Sequence, residues 1–145
     1  MFTVMVLRIK GLFVMSGINV VFDTCAIIKL LQHRYTLDEL EIDIAGSGLL
    51  TSVIVRMELL SKPGLSADEE QNIRNFLGDL VVVPLDEAIE QKAVEIRRST
   101  SLKLPDSIVA ATSIVLGAVL LTDDARLLQL SRHDFKAQAV YRKLG

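Results

Sequence analysis

Short apolar runs alternate with amphipathic stretches along this chain. Ile18 to Phe22 reads as an apolar strand, the pattern of a parallel sheet covered on both faces. Thr24 can cap a helix running to about His33, with Ile27, Ile28, Leu30 and Leu31 on its apolar side. Leu37, Leu40 and Ile44 have helical spacing and predict a short acidic helix. Leu49-Leu50 enters a second strand, and Thr51 or Ser52 caps the helix that follows. Ser66-Ala67-Asp68-Glu69 is a capping box, opening a helix that ends near Gly78. Val81 to Val83 is a third strand closed by Pro84, and Asp86 starts a helix carrying Ala88, Ile89, Ala93 and Ile96. Pro105 suits the first turn of the next helix, which Gly117 ends. Ala118 to Leu121 is a fourth strand, Ala125 to Leu130 a short helix, and Ala137 to Tyr141 a fifth strand.

Strands alternating with helices predict an α/β fold, a three-layer sandwich with a central parallel sheet of four or five strands. The 145 residues fit one domain with its own core. We expect that domain over residues 17–145, with 1–16 an extension the fold does not need, since Met15-Ser16-Gly17 stands just before the first strand. Half of the residues are hydrophobic and Trp is absent, so the core is aliphatic. The stretch 107–122 is uncharged, but it is shorter than the roughly 20 residues of a spanning helix and Gly117 interrupts it. No membrane element is expected. The one cysteine, Cys25, excludes an internal disulfide and a Cys-based zinc site; it reads as a small core residue and fits a cytoplasmic location.

Against this apolar background, four acids stand out. Asp23 ends the first strand, Glu58 lies within Met57-Glu58-Leu59-Leu60, Asp106 opens an uncharged helix, and Asp124 follows the fourth strand. Carboxylates seldom enter apolar surroundings unless paired, hydrogen-bonded or neutralised by a cation. In open α/β sheets, sites lie beyond the carboxyl ends of the strands, where Asp23 and Asp124 are placed. Four acids at such places suggest one shared cation, and so phosphodiester chemistry. Thr24 and Thr122 are candidate supports, and Asp123 an outer or alternative ligand. His33 and His133 lie far from these motifs in sequence.

The net charge of −2 advertises no global attraction to nucleic acid. Bases do cluster locally: Arg97, Arg98 and Lys103 precede Asp106, and Arg126 begins a basic C-terminal stretch. No Ser-His-Asp order, phosphate-binding glycine loop or HExxH element is present. A receiver domain, another small α/β unit with an acidic pocket, would need adjacent acids after the first strand and a late lysine; Phe22-Asp23-Thr24 and Thr122-Asp123-Asp124 supply neither.

Val21-Phe22-Asp23-Thr24, Glu58-Leu59-Leu60, Leu104-Pro105-Asp106-Ser107 and Leu121-Thr122-Asp123-Asp124 resemble the motifs of the PIN-domain ribonucleases. In size and wording they are most similar to the VapC toxins of toxin–antitoxin pairs. The resemblance implies a Mg²⁺ or Mn²⁺ site on Asp23, Glu58, Asp106 and Asp124. It implies cleavage of single-stranded or looped RNA to 5′-phosphate and 3′-hydroxyl products. It also implies homodimers and inhibition by a small antitoxin. The family often has Asn where this chain has Cys25. A non-toxin PIN nuclease of RNA processing, or a non-catalytic module that binds RNA or protein, are the alternatives. A toxin's partner is expected to place an Arg or Lys among the acids from an apolar groove carrying Ile28, Leu31, Val53 and Met57.

Overall fold

A computed structural model describes residues 18–40, 48–130 and 136–140. The expected extension, His133 and most of the basic C-terminal stretch lie outside the described residues.

Five parallel strands form one sheet in the order β3-β2-β1-β4-β5. They are β1 (Val20–Phe22), β2 (Leu49–Ser52), β3 (Val81–Val83), β4 (Val119–Leu121) and β5 (Ala137–Gln138). Between them run α1 (Thr24–Leu31), a 3₁₀ turn at Leu37–Glu39, α2 (Val53–Leu60), α3 (Ala67–Gly78), α4 (Glu87–Ser99), α5 (Leu104–Leu116) and α6 (Ala125–Leu130). This is the α/β sandwich the alternation predicts.

β1 is the centre of the molecule. Val20, Val21 and Phe22 are fully buried, as are Leu120 and Leu121 on the neighbouring β4. A strand walled on both faces has no room for alternation, so its sequence is uniformly apolar. Phe22 meets Phe76 of α3 edge-on, with ring centroids 6.2 Å apart. α5 runs along α4 and against β1, β2 and β4. Its eight buried residues, Ser107 to Ser113 and Leu116, explain why the uncharged 107–122 stretch is core rather than membrane. Among the described residues no helix is long and apolar enough to cross a membrane.

Some local expectations are met and others need correction. The cap of α1 is Asp23, whose carboxylate accepts from the Thr24 amide, and not Thr24. α1 ends at Leu31 because the Gln32 amide closes onto the Ile28 carbonyl, and His33 then takes a left-handed φ of 58°. The acidic helix expected from Leu37 shrinks to one 3₁₀ turn, since Leu40 is already extended at ψ 142°. Thr51 belongs to β2, and Ser52 caps α2 through the Ile54 amide. The capping box of α3 forms, with Ser66 and Glu69 each bonding the other's amide. Gly117 ends α5 at φ 60°, a conformation that favours glycine.

The strand order places the site. From β1 the chain steps outward to β2 and β3, then returns across the sheet to β4 on β1's other side. The order therefore reverses between β1 and β4, where a crevice opens beyond the carboxyl ends. Phe22 pairs with Leu121, and the Asp23 amide donates to the Leu121 carbonyl at 3.0 Å. Asp23 and Thr122 thus leave the sheet side by side.

Candidate functional site

A cleft of about 470 Å³ opens at this point, and Asp23, Glu58, Asp106, Asp123 and Asp124 all line it. Residues more than 100 positions apart are brought together because two adjacent strands end at one edge.

Asp23 is the most buried of these acids, 7% exposed. Its Oδ1 accepts from the Thr24 amide at 2.8 Å and its Oδ2 from the Thr122 hydroxyl at 2.7 Å. Burial pushes its carboxyl above the ordinary value, and the Glu58 charge adds to that. Hydrogen bonds from Thr122, Thr24 and Cys25 act in the opposite direction. Asp106 stands in the first turn of α5 and is half-buried. It too is pushed up, first by burial and then by the charges of Asp23 and Asp124; Lys103 and Arg126 offset part of this. The charges of Asp23 and Asp124 therefore both act on Asp106 across the cleft.

Glu58 is exposed on α2. Its Oε2 accepts from the Thr24 hydroxyl at 2.9 Å. Thr24 therefore serves Glu58 through its side chain and Asp23 through its amide. Thr122 is fully buried. Besides donating to Asp23 it accepts from the Asp124 amide at 3.0 Å, so one hydroxyl joins the first acid to the last.

The neighbours Asp123 and Asp124 divide cleanly. Both oxygens of Asp123 are engaged, Oδ1 by the Val140 amide and Oδ2 by the Lys29 ammonium. Asp124 uses Oδ1 to cap α6, accepting from the Arg126 amide at 2.8 Å and the Leu127 amide at 3.3 Å. Its other oxygen is left for the cleft.

Cys25 departs from its expectation as a core residue. It is half-buried on the cleft wall, with Sγ 3.6 Å from Asp23 Oδ2 and 3.7 Å from Thr122 Oγ1; the Asp123 amide donates to it at 3.3 Å. Burial and then the Asp23 charge push the thiol up, so it stays protonated and acts as a donor to Asp23.

Among the described residues no three acidic, His or Cys side chains form a ready coordination sphere. The donor chemistry nonetheless fits a hard divalent cation: carboxylate oxygens dominate, and their mutual repulsion at Asp106 is the charge a cation relieves.

Comparison with known proteins places this arrangement. The PIN domain model matches residues 20–134. The chain belongs to the PIN domain family. No curated protein matches it. Among solved structures, the PIN chain is similar to VapBC2 from Rickettsia felis bound to a promoter DNA fragment (TM-score 0.72, 16% identity, 83% of this chain and 98% of that one). It is also similar to VapBC-1 from nontypeable Haemophilus influenzae (0.68, 21%, 86% and 99%). A third is a toxin–antitoxin complex from Klebsiella pneumoniae (0.67, 22%, 85% and 98%). At these identities the likeness is one of fold.

Beside the acids, the PIN fold of this chain carries an apolar groove of about 560 Å³. Thr24, Ile28 and Glu58 line both groove and cleft, so the two are continuous. Ile28 and Leu31 face the groove as expected. Val53 and Met57 do not; Leu59, Leu65 and Ile73 take their place, because α3 and not the start of α2 closes the groove. Of the candidate RNA contacts, Lys103 and Arg126 lie close enough to Asp106 to act on its charge. Arg97 and Arg98 are exposed in the last turn of α4 and do not line the cleft. Lys29, which does line it, escaped the sequence reading: a single lysine in an apolar helix gives no local signal of the partner 94 residues away.

Proposed function

We propose that this protein is a divalent-cation-dependent endoribonuclease that cuts single-stranded or looped RNA, and that it is the toxin of a toxin–antitoxin pair. The observation carrying the reading is the convergence of Asp23, Glu58, Asp106 and Asp124 on one cleft at the switch point of the sheet. Membership of a nuclease family and the likeness of fold to toxin–antitoxin complexes support it.

Asp23, Asp106 and Asp124 would hold Mg²⁺ or Mn²⁺, with Glu58 contacting it directly or through water. Such a cation, when bound, supplies charge compensation and Lewis-acid polarisation of the phosphodiester. Thr122 fixes Asp23 and the Asp124 backbone, and Thr24 aims Glu58. Asp123, with both oxygens engaged, acts as support rather than ligand. The test is cleavage of single-stranded RNA with Mg²⁺ or Mn²⁺, its loss in chelator, and the products' end groups. A folded protein that binds RNA but never cuts it would favour the non-catalytic reading.

The antitoxin reading carries its own expectation. A cleft of carboxylates that accepts a cation should also accept a guanidinium, which pairs with carboxylates in a planar fork and stays charged. A short antitoxin segment anchored in the continuous apolar groove is expected to place an Arg beside Asp23, Asp106 and Asp124. Changing that Arg to Ala should weaken inhibition at least tenfold. Inhibition indifferent to every Arg and Lys of the segment would reject this mode.

A cytoplasmic homodimer completes the proposal. Ile18, Met57, Leu85, Val94 and Leu104 are large, apolar and 42–58% exposed; where such side chains adjoin, a second copy tends to cover them. Light scattering at micromolar concentration should give twice the 16.0 kDa chain mass. A single monomeric species would count against it.

A further inference from the structure

Among the described residues that line the acid cleft, Ile28 alone is aliphatic and five are carboxylates. With a cation present such a lining suits a phosphate, but it offers little to the nucleobases on either side of it. An unstacked base is held by apolar contact on its faces and by hydrogen bonds at its edge. The groove beside the cleft supplies groups for both.

The apolar lining of the groove is Ile28, Leu31, Leu59, Leu65 and Ile73. Leu59 and Ile73 are buried, and Leu31 and Leu65 pack half-buried against the core. Two amide side chains share the lining: Gln32, the C-cap of α1, and Asn72 on α3. Both residues are exposed, and neither side chain makes a hydrogen bond among the described residues. Each offers donors and an acceptor side by side, the complement of a base edge. Charge separates the groove from the cleft. Past Glu58 the groove carries one base and one acid, Lys62 and Glu69. The Lys62 charge acts on Glu69, and Glu69 Oε2 is held by the Ser66 amide. An uncharged base suits such a lining better than a second phosphate does. The volume of about 560 Å³ falls within the range of small-ligand sites.

We propose that the groove is a nucleobase subsite: a base beside the scissile phosphate lies against Leu31, Leu59 and Ile73, and Gln32 and Asn72 read its edge. This rests on the ribonuclease reading above. Thr24, Ile28 and Glu58 line groove and cleft alike, so a strand with its phosphate among the acids can lay the neighbouring base in the groove. An antitoxin segment anchored there inhibits by taking the place of the base as well as that of the cation. The competing account reserves the groove for the antitoxin alone. The two accounts part in the base preference of cleavage, which only a substrate contact creates.

The experiment measures kcat/KM on single-stranded RNA oligonucleotides with Mn²⁺. The base at each position around the cut is varied, and each is replaced in turn by an abasic nucleotide. The unmodified protein is expected to favour one base on one side of the cut by on the order of tenfold, the discrimination of one good amide–base contact. It should lose at least as much when that nucleotide is abasic. In the double variant Gln32→Ala, Asn72→Ala the preference among bases should nearly vanish, while the abasic penalty, which comes from the aliphatic lining, persists in part. Both residues are exposed, so the fold should survive, and matched thermal melts check it. Cleavage with no base preference beside the cut, or a preference untouched in the double variant, would overturn the proposal and leave the ribonuclease reading standing. An untouched preference together with weakened inhibition by the antitoxin would assign the groove to the protein partner instead. If the unmodified protein cuts no RNA with Mg²⁺ or Mn²⁺, the ribonuclease reading itself fails, and the subsite with it.

Discussion

Asp23→Asn is expected to lower RNA cleavage by at least 100- to 1000-fold and, at the same time, to raise the melting temperature of the metal-free protein at neutral pH. The first effect follows from removing a carboxylate from the proposed cation site, where preorganised charge contributes factors of about that size. The second follows from burial. Asp23 is held above its ordinary value chiefly by desolvation, with the Glu58 charge adding to it. A carboxyl whose folded value lies above its unfolded one stabilises the fold fully below the unfolded value, and that stabilisation is lost as pH rises through the folded value. At neutral pH the ionised group is therefore a cost. Asparagine is neutral and nearly the same shape; its Oδ1 still accepts from the Thr24 amide, and its Nδ2 can donate to Thr122 Oγ1. Each kcal/mol recovered raises the melting temperature by about 2–4 °C in a chain of this size. The advantage should shrink as pH falls through the raised value of the wild-type carboxyl, above the ordinary carboxylate range, where that group protonates. Added Mn²⁺ should stabilise the wild type more than the variant. A folded variant that cleaves normally would remove Asp23 from the mechanism. A variant less stable at pH 7.5 would show that hydrogen bonding, not desolvation, dominates at this position.

The sheet was legible in the sequence because its central strands are buried on both faces. Val20-Val21-Phe22 and Leu120-Leu121 have no polar alternation to confuse them with surface strands. Helix starts were legible where a side chain caps locally, as at Ser66 and Asp86. They were less so at α1, where Asp23 and Thr24 are both good caps and the choice depends on tertiary partners. Thr24 is drawn away by Glu58, 34 residues on, and Asp23 is left to cap. The four acids were visible because they break apolar runs. Lys29 and Cys25 break no pattern. The lysine sits on an otherwise apolar helix and the cysteine passes for a core residue, yet both line the cleft through contacts with a loop nearly 100 positions away. The groove was misread at Val53 and Met57 for a related reason: helical spacing tells which residues share a face, but not which helix closes over it.

Thr122→Val is expected to weaken Mn²⁺ binding by about 10- to 100-fold, the range found when a support behind a metal ligand is removed. Thr122 is fully buried, and valine fills nearly the same volume. What is lost is one hydroxyl with two duties. Asp23 Oδ2 loses its donor at 2.7 Å, and the Asp124 amide loses its acceptor at 3.0 Å. The first loss removes the largest influence holding the Asp23 carboxyl down. Its charged form becomes harder to reach, and metal affinity should then climb more steeply with pH than in the wild type. The second loosens the turn that aims Asp124 at the cleft. Leaving buried polar groups unpaired also costs about 1–3 kcal/mol of stability. Thr122→Ser keeps the hydroxyl and drops only a methyl group, so it should retain most of the affinity while losing some stability. Calorimetric titration with Mn²⁺ at two pH values, beside thermal melts, separates these effects. Wild-type affinity in a folded Thr122→Val protein would mean that Asp23 and Asp124 are oriented by the backbone alone, and that the hydroxyl between them contributes nothing to the site.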